Sequence, residues 1–155
     1  MSWPRVFGPD GADVRHRVSL LRAHGPRLRA LVKNPFGDER SEEVEAIVDT
    51  GASCICVGRR LARDLALTRT GATRMVAVGA DHPAGVYAAK VIVPELDFDK
   101  FLPVCAPDGV NTSATILLGR TFLEFFDFSY NGQAGTFAFH NDGDRVGASH
   151  HEFEE

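Results

Sequence analysis

Short hydrophobic runs rich in Val, Ile, Phe and Thr follow one another along this chain, and clusters of Gly, Pro, Asn and Asp separate them. Examples of the separating clusters are "NPFGDE", "APDG" and "SYNGQAG". This alternation of short runs and turns is typical of all-β sandwiches and barrels. The predicted strands are Val18–Ala23, Arg27–Lys33, Val44–Val48, Cys54–Val57, Arg74–Val78, Val86–Val93, Phe98–Cys105, Thr115–Leu118, Phe126–Tyr130 and Thr136–His140.

Two short segments have the spacing of helices. In Arg59–Ala66 the side chains of Leu61 and Leu65 are four residues apart, which places them on one face of a helix. Residues Gly119–Phe125 are predicted to begin with one helical turn. The sequence therefore predicts an all-β fold with one or two short helices.

The length of 155 residues is that of one domain with a hydrophobic core of its own. We interpret residues 1–26 as an N-terminal extension that contains a strand, and residues 27–141 as the domain. Residues 142–155 are polar and are predicted to form a flexible C-terminal tail.

The charge balance and the lack of long apolar runs argue against two classes of partner. The 17 basic and 21 acidic residues give a net charge of −4, so no basic surplus indicates nucleic-acid binding. The sequence contains no apolar run long enough to span a membrane, and the N-terminus lacks the pattern of a signal peptide. We therefore expect a soluble, cytoplasmic protein that binds neither nucleic acid nor membranes.

The cysteines are Cys54, Cys56 and Cys105, an odd number that argues against a framework of disulfides and fits a reducing compartment. Structural zinc sites usually present paired ligands at short spacings, and no fourth ligand stands at such a spacing here. We therefore interpret the cysteines as packing residues, and we expect no metal and no cofactor.

The stretch "EAIVDTGASCICVG", residues 45–58, is the strongest candidate for chemistry. Asp49 follows a buried-looking apolar run and precedes a turn, so its carboxylate is held where a strand leaves the core. A pair of such carboxylates can share one proton, so that one activates a water while the other hydrogen-bonds a substrate carbonyl. Gly51 is expected to permit a positive φ and close approach of a substrate. The simpler alternative is an aspartate that only caps a turn.

The second carboxylate of such a pair is missing from this chain. No other Asp-Thr-Gly and no Asp-Ser-Gly occurs in the sequence. If the paired-carboxylate chemistry is right, the second aspartate has to be Asp49 of another copy, related to the first by a two-fold axis.

Two motifs in this order resemble the retropepsin-like aspartic peptidases, the single-lobed, homodimeric relatives of pepsin found in retroviruses and bacteria. The first is Ala46–Ser53, "AIVDTGAS", and the second is Thr115–Leu123, "TILLGRTFL". The resemblance spans Arg27–His140 and implies the closed β-barrel or sandwich of that family. It also implies that the hairpin Arg74–Val93, with its tip at Gly79–Gly85, is a flap over the substrate.

The resemblance assigns a role to each matching residue. Asp49 is the implied catalytic acid and base, and the Thr50 hydroxyl is implied to tie the loops of the two copies together. The other residues implied to form or support the loop are Gly51, Ala52, Ser53 and Gly119. The residues implied to form the flap are Gly79, Ala80, Asp81 and His82. Retroviral members often have an acidic residue at the position of Ser53, and it pairs with an arginine at the position of Arg120. This chain has the arginine without the acid, so the sequence leaves the role of Arg120 open.

The function implied by the resemblance is that of a homodimeric aspartic endopeptidase whose protein or peptide substrate binds as an extended strand. Two alternatives stay open. The same groove could hold a peptide without cutting it, or the enzyme could be held inactive by its flap or tail until a partner activates it.

Overall fold

The computed structural model describes residues 3–10, 13–37, 40–77, 80–108 and 115–141, and of residues 77 and 80 it describes the backbone only. Strands dominate these residues, which confirms the all-β class. The strands are β1 (Arg5–Phe7), β2 (Arg27–Lys33), β3 (Ser41–Val48), β4 (Thr68–Ala77), β5 (Ala80–Val93), β6 (Phe98–Pro107), β7 (Ile116–Leu118), β8 (Asp127–Asn131) and β9 (Thr136–His140). The helices are α1 (Val14–His24), α2 (Arg59–Asp64), α3 (Arg120–Leu123) and a 3₁₀ turn at Pro94–Leu96.

Residues 27–121 form one unit, built on a six-stranded sheet. The strand order is β4-β5-β2-β3-β7, and β6 pairs with β5. In β3 the side chains of Val44, Ala46 and Val48 are buried, because the strand alternates apolar and polar positions up to Asp49. Strand β3 runs parallel to β7, with Val48 opposite Leu118. The apolar strands of the two sequence motifs, Ala46–Val48 and Ile116–Leu118, are therefore neighbours in one sheet.

Residues 1–26 and 122–155 form a second unit. Its described part contains the three-stranded sheet β1-β9-β8 and helix α1. Phe137 and Phe139 are buried on one face of β9, and the ring of Phe139 lies 6.1 Å from that of the fully buried Phe122. The core of this unit is thus aromatic.

The predicted strand Val18–Ala23 is wrong, because these residues lie in helix α1. The Asp13 carboxylate caps the helix by accepting a hydrogen bond from the His16 N–H at 2.8 Å. Gly25, with φ of 75°, ends it and donates its N–H to the Leu21 carbonyl. These caps at both ends outweigh the local β-propensity of the apolar residues. The strand that the N-terminal extension does contain is β1.

The predicted tip of the hairpin, Gly79–Gly85, is also placed differently. Strand β5 begins at Ala80, so most of this stretch pairs with β4, and only residues 78 and 79, which lie outside the described residues, separate the strands. Pro83 has no N–H to donate to the ladder, but its carbonyl accepts a hydrogen bond from the Asp108 N–H at 2.9 Å. The pairing with β4 and β6 outweighs the turn preference of Pro and Gly.

The predicted strand Cys54–Val57 is reduced to two single bridges, in which Cys56 pairs with Cys105 and with Leu117. The segment lies between β6 and β7, with a parallel bridge to Cys105 and an antiparallel bridge to Leu117. The predicted tail, residues 142–155, lies outside the described residues. Within the described residues no helix combines the length and the apolar character that crossing a membrane requires.

Candidate active site

Asp49 directly follows the last residue of strand β3. The Asp49 N–H donates to the carbonyl of Leu118 at 3.0 Å, which continues the parallel pairing of β3 with β7 for one further residue. The side chains of Val48 and Leu118, just before this point, are buried, whereas Asp49 is only half-buried. The carboxylate thus stands on a fixed backbone while part of it stays accessible.

The loop turns sharply at Asp49 through bonds to its own carboxylate and carbonyl. The Gly51 N–H donates to Asp49 Oδ1 at 2.9 Å, and the Ala52 N–H donates to the Asp49 carbonyl at 3.2 Å. Asp49 therefore does cap its turn, as the simpler alternative expected. The positive φ expected at Gly51 is wrong, because its backbone is outside the left-handed region. A Cβ at Gly51 would lie 3.2 Å from Asp49 Oδ1, so glycine leaves space beside the carboxylate.

The segment after β7 holds the other side of the loop. The Arg120 N–H donates to the Ala52 carbonyl at 2.8 Å, and the Thr121 N–H donates to the Ser53 carbonyl at 3.2 Å. Gly119 is buried, and a Cβ there would lie 2.2 Å from the carbonyl oxygen of Cys54. No other residue fits at position 119 without moving backbone.

The side chain of Arg120 has a place that sequence reasoning missed. Its Nη1 donates to the Thr50 carbonyl at 2.8 Å. Where retroviral relatives are implied to pair this arginine with an acid, here it binds the backbone of the Asp-Thr-Gly turn. The absence of an acid at Ser53 was the signal in the sequence that the arginine has another partner.

The rest of the loop faces solvent in the single chain. Thr50, Gly51 and Ser53 are exposed, and Ala52 is half-buried. The structure therefore brings Asp49, the four following residues and Gly119 together in one rigid turn with an open side. It is an arrangement that can present a carboxylate to a ligand.

Comparison with known protein families agrees with this geometry. The model of a family described as aspartyl protease matches residues 36–122, more than half of the chain. The chain belongs to the aspartyl protease family. A comparison with curated proteins finds no match.

Solved structures of other proteins share this fold. A retropepsin-like aspartic protease from Rickettsia conorii aligns with a TM-score of 0.55 and 16% identity, covering 89% of this chain and 99% of that one. The EIAV protease in complex with the inhibitor HBY-793 aligns with a TM-score of 0.50 and 15% identity, covering 64% and 85% of the two chains. The retropepsin-like fold predicted for this chain is confirmed.

The predicted flap residues that the structure describes lie at the far end of the β4–β5 hairpin. Asp81 and His82 pair with Val76 and Met75 across the hairpin, and Arg74 forms an ion pair with Asp81 at 3.3 Å. The side chain of Val76 is 86% exposed. Of the other two predicted flap residues, Ala80 is described by its backbone, and Gly79 lies outside the described residues.

The three cysteines of the chain lie together, which sequence reasoning did not foresee. Cys54 Sγ and Cys56 Sγ are 3.8 Å apart, and Cys56 bridges to Cys105. All three are free thiols. Among the described residues, no group of three or more His, Cys, Asp and Glu side chains is arranged to hold a metal ion.

Proposed function

We propose that this chain is an aspartic endopeptidase that acts as a homodimer, with Asp49 of each copy forming the catalytic pair. The observation that carries the proposal is the Asp49 turn, held rigidly by the second motif in a chain of the aspartyl protease family. The pair would share one proton. One carboxylate would take a proton from a water that attacks the peptide carbonyl, while the other would hydrogen-bond the carbonyl oxygen.

The single Asp-Thr-Gly supports the requirement for a second copy. A chain with one such motif can contribute only one of the two carboxylates, so a two-fold axis next to the turn has to supply the other. The exposure of Thr50 and Gly51 is compatible with an approach of the partner loop at this position. In the proposed dimer the hydroxyl of Thr50 ties the two loops together.

The substrate would bind as an extended strand next to the two turns. In this arrangement Gly51 accepts a backbone hydrogen bond from the substrate through its carbonyl, and the end of the β4–β5 hairpin covers the substrate from the other side. The apolar side chain of Val76 is exposed on the hairpin, so it is available to contact an apolar side chain of the substrate. Specificity would then come from side-chain contacts.

The first test is the replacement Asp49→Asn, which keeps the shape of the side chain and removes its ability to exchange a proton. We expect kcat/KM to fall by at least about 100-fold, the usual contribution of a general acid or base. Cleavage is measured by mass spectrometry on a library of extended peptides. Asp64→Asn, on the exposed face of α2, is the matched control and should keep full activity.

A mixing experiment tests the shared site directly. When wild type is mixed with a ninefold excess of Asp49→Asn and subunits exchange, random pairing leaves about one tenth of the wild-type chains with a wild-type partner. Activity per wild-type chain should fall in that proportion. Activity that is unchanged by the excess variant would show that one chain carries a complete site.

The same variants distinguish the proposed peptidase from the alternative, a groove that holds peptides without cutting them. A wild-type dimer that binds extended peptides but leaves them intact at every concentration would favour the binding module. Asp49→Asn with wild-type cleavage activity would also exclude the proposed chemistry.

A further inference from the structure

All three thiols of this chain converge beside the Asp49 turn. Cys54 and Cys56 follow the turn directly, with their Sγ atoms 3.8 Å apart. Cys105 comes from β6, where its N–H donates to the Ile55 carbonyl at 2.9 Å and its carbonyl accepts from the Val57 N–H at 2.8 Å. The backbone therefore fixes Cys105 next to Cys56 from a segment 49 residues later in the sequence.

The three thiols are chemically unequal. Cys54 is half-buried, whereas Cys56 and Cys105 are 6% and 8% exposed. Hydrogen bonds from the Cys105 and Cys56 thiols lower the pKa of Cys54, with a further contribution from Ser53. Those same hydrogen bonds to Cys54, together with burial, raise the pKa of Cys56 and of Cys105. The most accessible of the three cysteines is therefore the one whose ionisation its neighbours favour, and the thiolate is the reactive form of cysteine.

We propose that Cys54 is a site of reversible oxidation by hydroperoxides, and that Cys56 converts the oxidised Cys54 into a disulfide. The Cys54 thiolate attacks one oxygen of hydrogen peroxide, so that an S–O bond forms, the O–O bond breaks and the second oxygen leaves as water after taking a proton. Cys56 Sγ then attacks Cys54 Sγ, the S–O bond breaks, and the Cys56 proton leaves with the oxygen as a second water. Two thiols lose two electrons and one peroxide gains them.

The geometry favours Cys56 as the second thiol. Its sulfur is already in contact with Cys54 Sγ, and its backbone is fixed by mutual hydrogen bonds with Leu117, both at 2.9 Å. A disulfide has an S–S length of about 2.05 Å, so the two sulfurs must approach from 3.8 Å. Because Cys56 is held in the sheet, Cys54 has to make most of this movement.

The movement of Cys54 reaches the proposed catalytic turn. The Cys54 carbonyl lies against Gly119, so close that a Cβ at position 119 would be 2.2 Å from the carbonyl oxygen. The carbonyls of Ala52 and Ser53 accept hydrogen bonds from the two residues that follow Gly119. A shift of Cys54 therefore disturbs the bonds that hold the Asp49 turn. This part of the inference rests on the proposed function and predicts that oxidation lowers peptidase activity and that a thiol reductant restores it.

The thiol chemistry is tested on the reduced full-length chain without any activity assay. Hydrogen peroxide is added in slight excess, and intact mass and peptide mapping follow the products. We expect wild type to lose two hydrogen atoms and to contain a Cys54–Cys56 disulfide. Cys56→Ser should retain a sulfenic acid at Cys54 that dimedone labels. Cys54→Ser should keep Cys56 and Cys105 reduced. Cys105→Ser should still form the disulfide, because the serine hydroxyl can still donate a hydrogen bond to Cys54.

Defined outcomes overturn the inference. A disulfide between Cys56 and Cys105, or equal oxidation of Cys54→Ser and wild type, would exclude Cys54 as the reactive thiol. A Cys54–Cys105 disulfide would exclude Cys56 as its partner. Because the wild-type map alone distinguishes these products, the test survives a variant that fails to fold.

The two proposals fail separately. If Asp49→Asn forms the disulfide and reduced wild type cleaves no peptide, the proposed function is wrong while the oxidation site stands. If reduced wild type cleaves peptides and peroxide inhibits Cys54→Ser as strongly as wild type, the oxidation switch is wrong while the peptidase stands. We expect Cys54→Ser to keep its activity in peroxide.

Discussion

The Asp49 turn and the end of the β4–β5 hairpin belong to the same unit, yet they are built in opposite ways. The turn donates a backbone hydrogen bond to Leu118, accepts backbone hydrogen bonds from Arg120 and Thr121, and is also held by the Arg120 side chain, with no free space at Gly119. Its accessible carboxylate is therefore carried by a backbone that has almost no room to relax.

The hairpin end depends on pairing between β4 and β5 and on contacts with solvent. Its ion pair joins Arg74 and Asp81, whose side chains are 69% and 52% exposed, and such pairs contribute little to stability. Val76 beside it is 86% exposed. Few buried contacts restrain this end, so a change there has a small effect on the free energy of unfolding.

The difference fits a division of labour in the proposed enzyme. Groups that stabilise a transition state act best when they need no rearrangement, which the turn provides. A segment that must admit and then cover a substrate has to move at low cost, which the hairpin end allows. Substitutions that damage one region should therefore have a different signature from substitutions in the other.

The largest effect is expected for Gly119→Ala. The new Cβ would lie 2.2 Å and 2.6 Å from the carbonyl oxygens of Cys54 and Ala52, and backbone atoms cannot move away as a flexible side chain can. We expect the free energy of unfolding to fall by about 3 kcal/mol, as for overpacked interiors, and cleavage to be lost. Denaturant unfolding followed by circular dichroism measures the change.

Gly71→Ala in β4 is the matched control from the hairpin. A Cβ at Gly71 meets nothing within 4 Å, and its φ lies outside the left-handed region. The free energy of unfolding should stay the same or rise by about 0.5 kcal/mol, because alanine has less entropy to lose. Equal losses in the two variants would refute the contrast between turn and hairpin.

A smaller effect is expected for Arg120→Ala, which removes the hydrogen bond to the Thr50 carbonyl. The turn would keep its backbone bonds but lose a restraint, so we expect kcat to fall about 10-fold while KM changes little. Arg120→Lys should recover part of kcat, since lysine is a donor without the planar shape of arginine. Steady-state kinetics on one cleaved peptide measure both constants.

Arg74→Ala in the hairpin is the counterpart of Arg120→Ala. It breaks the exposed ion pair with Asp81 and should change the free energy of unfolding by less than about 0.5 kcal/mol. If Arg120→Ala raised KM and left kcat unchanged, Arg120 would act in binding rather than in positioning the turn.

The same contrast explains what could be predicted from the sequence. The turn could be found because its determinants are local: an apolar run, Asp-Thr-Gly and a second apolar run ending in glycine. The predicted bounds are confirmed for two strands, Arg27–Lys33 and Thr136–His140. The reason is related, because the alternation of apolar and polar positions that marks a strand with one buried face is also a local pattern.

The errors arose where partners distant in sequence decide the structure. The convergence of Cys105 on Cys54 and Cys56 depends on bridges formed by β6 and β7, which no short window contains. The sequence predicts too long a loop for the hairpin because Pro83 locally favours a turn, whereas in β5 it pairs with Arg74 of β4. Helix α1 is different, because its capping residues, Asp13 and Gly25, are local in the sequence and decide the structure over the β-propensity of the apolar residues between them.

The smallest effect, and the one most specific to the hairpin, is expected for Val76→Ser. The side chain is so exposed that the free energy of unfolding should change by less than about 0.5 kcal/mol. If the hairpin covers the substrate, the loss of an apolar contact should raise KM about fivefold and leave kcat nearly unchanged. Val6→Ser in β1, at a valine that is 62% exposed, is the control and should alter neither constant. Identical KM values for the two variants would mean that Val76 does not contact the substrate.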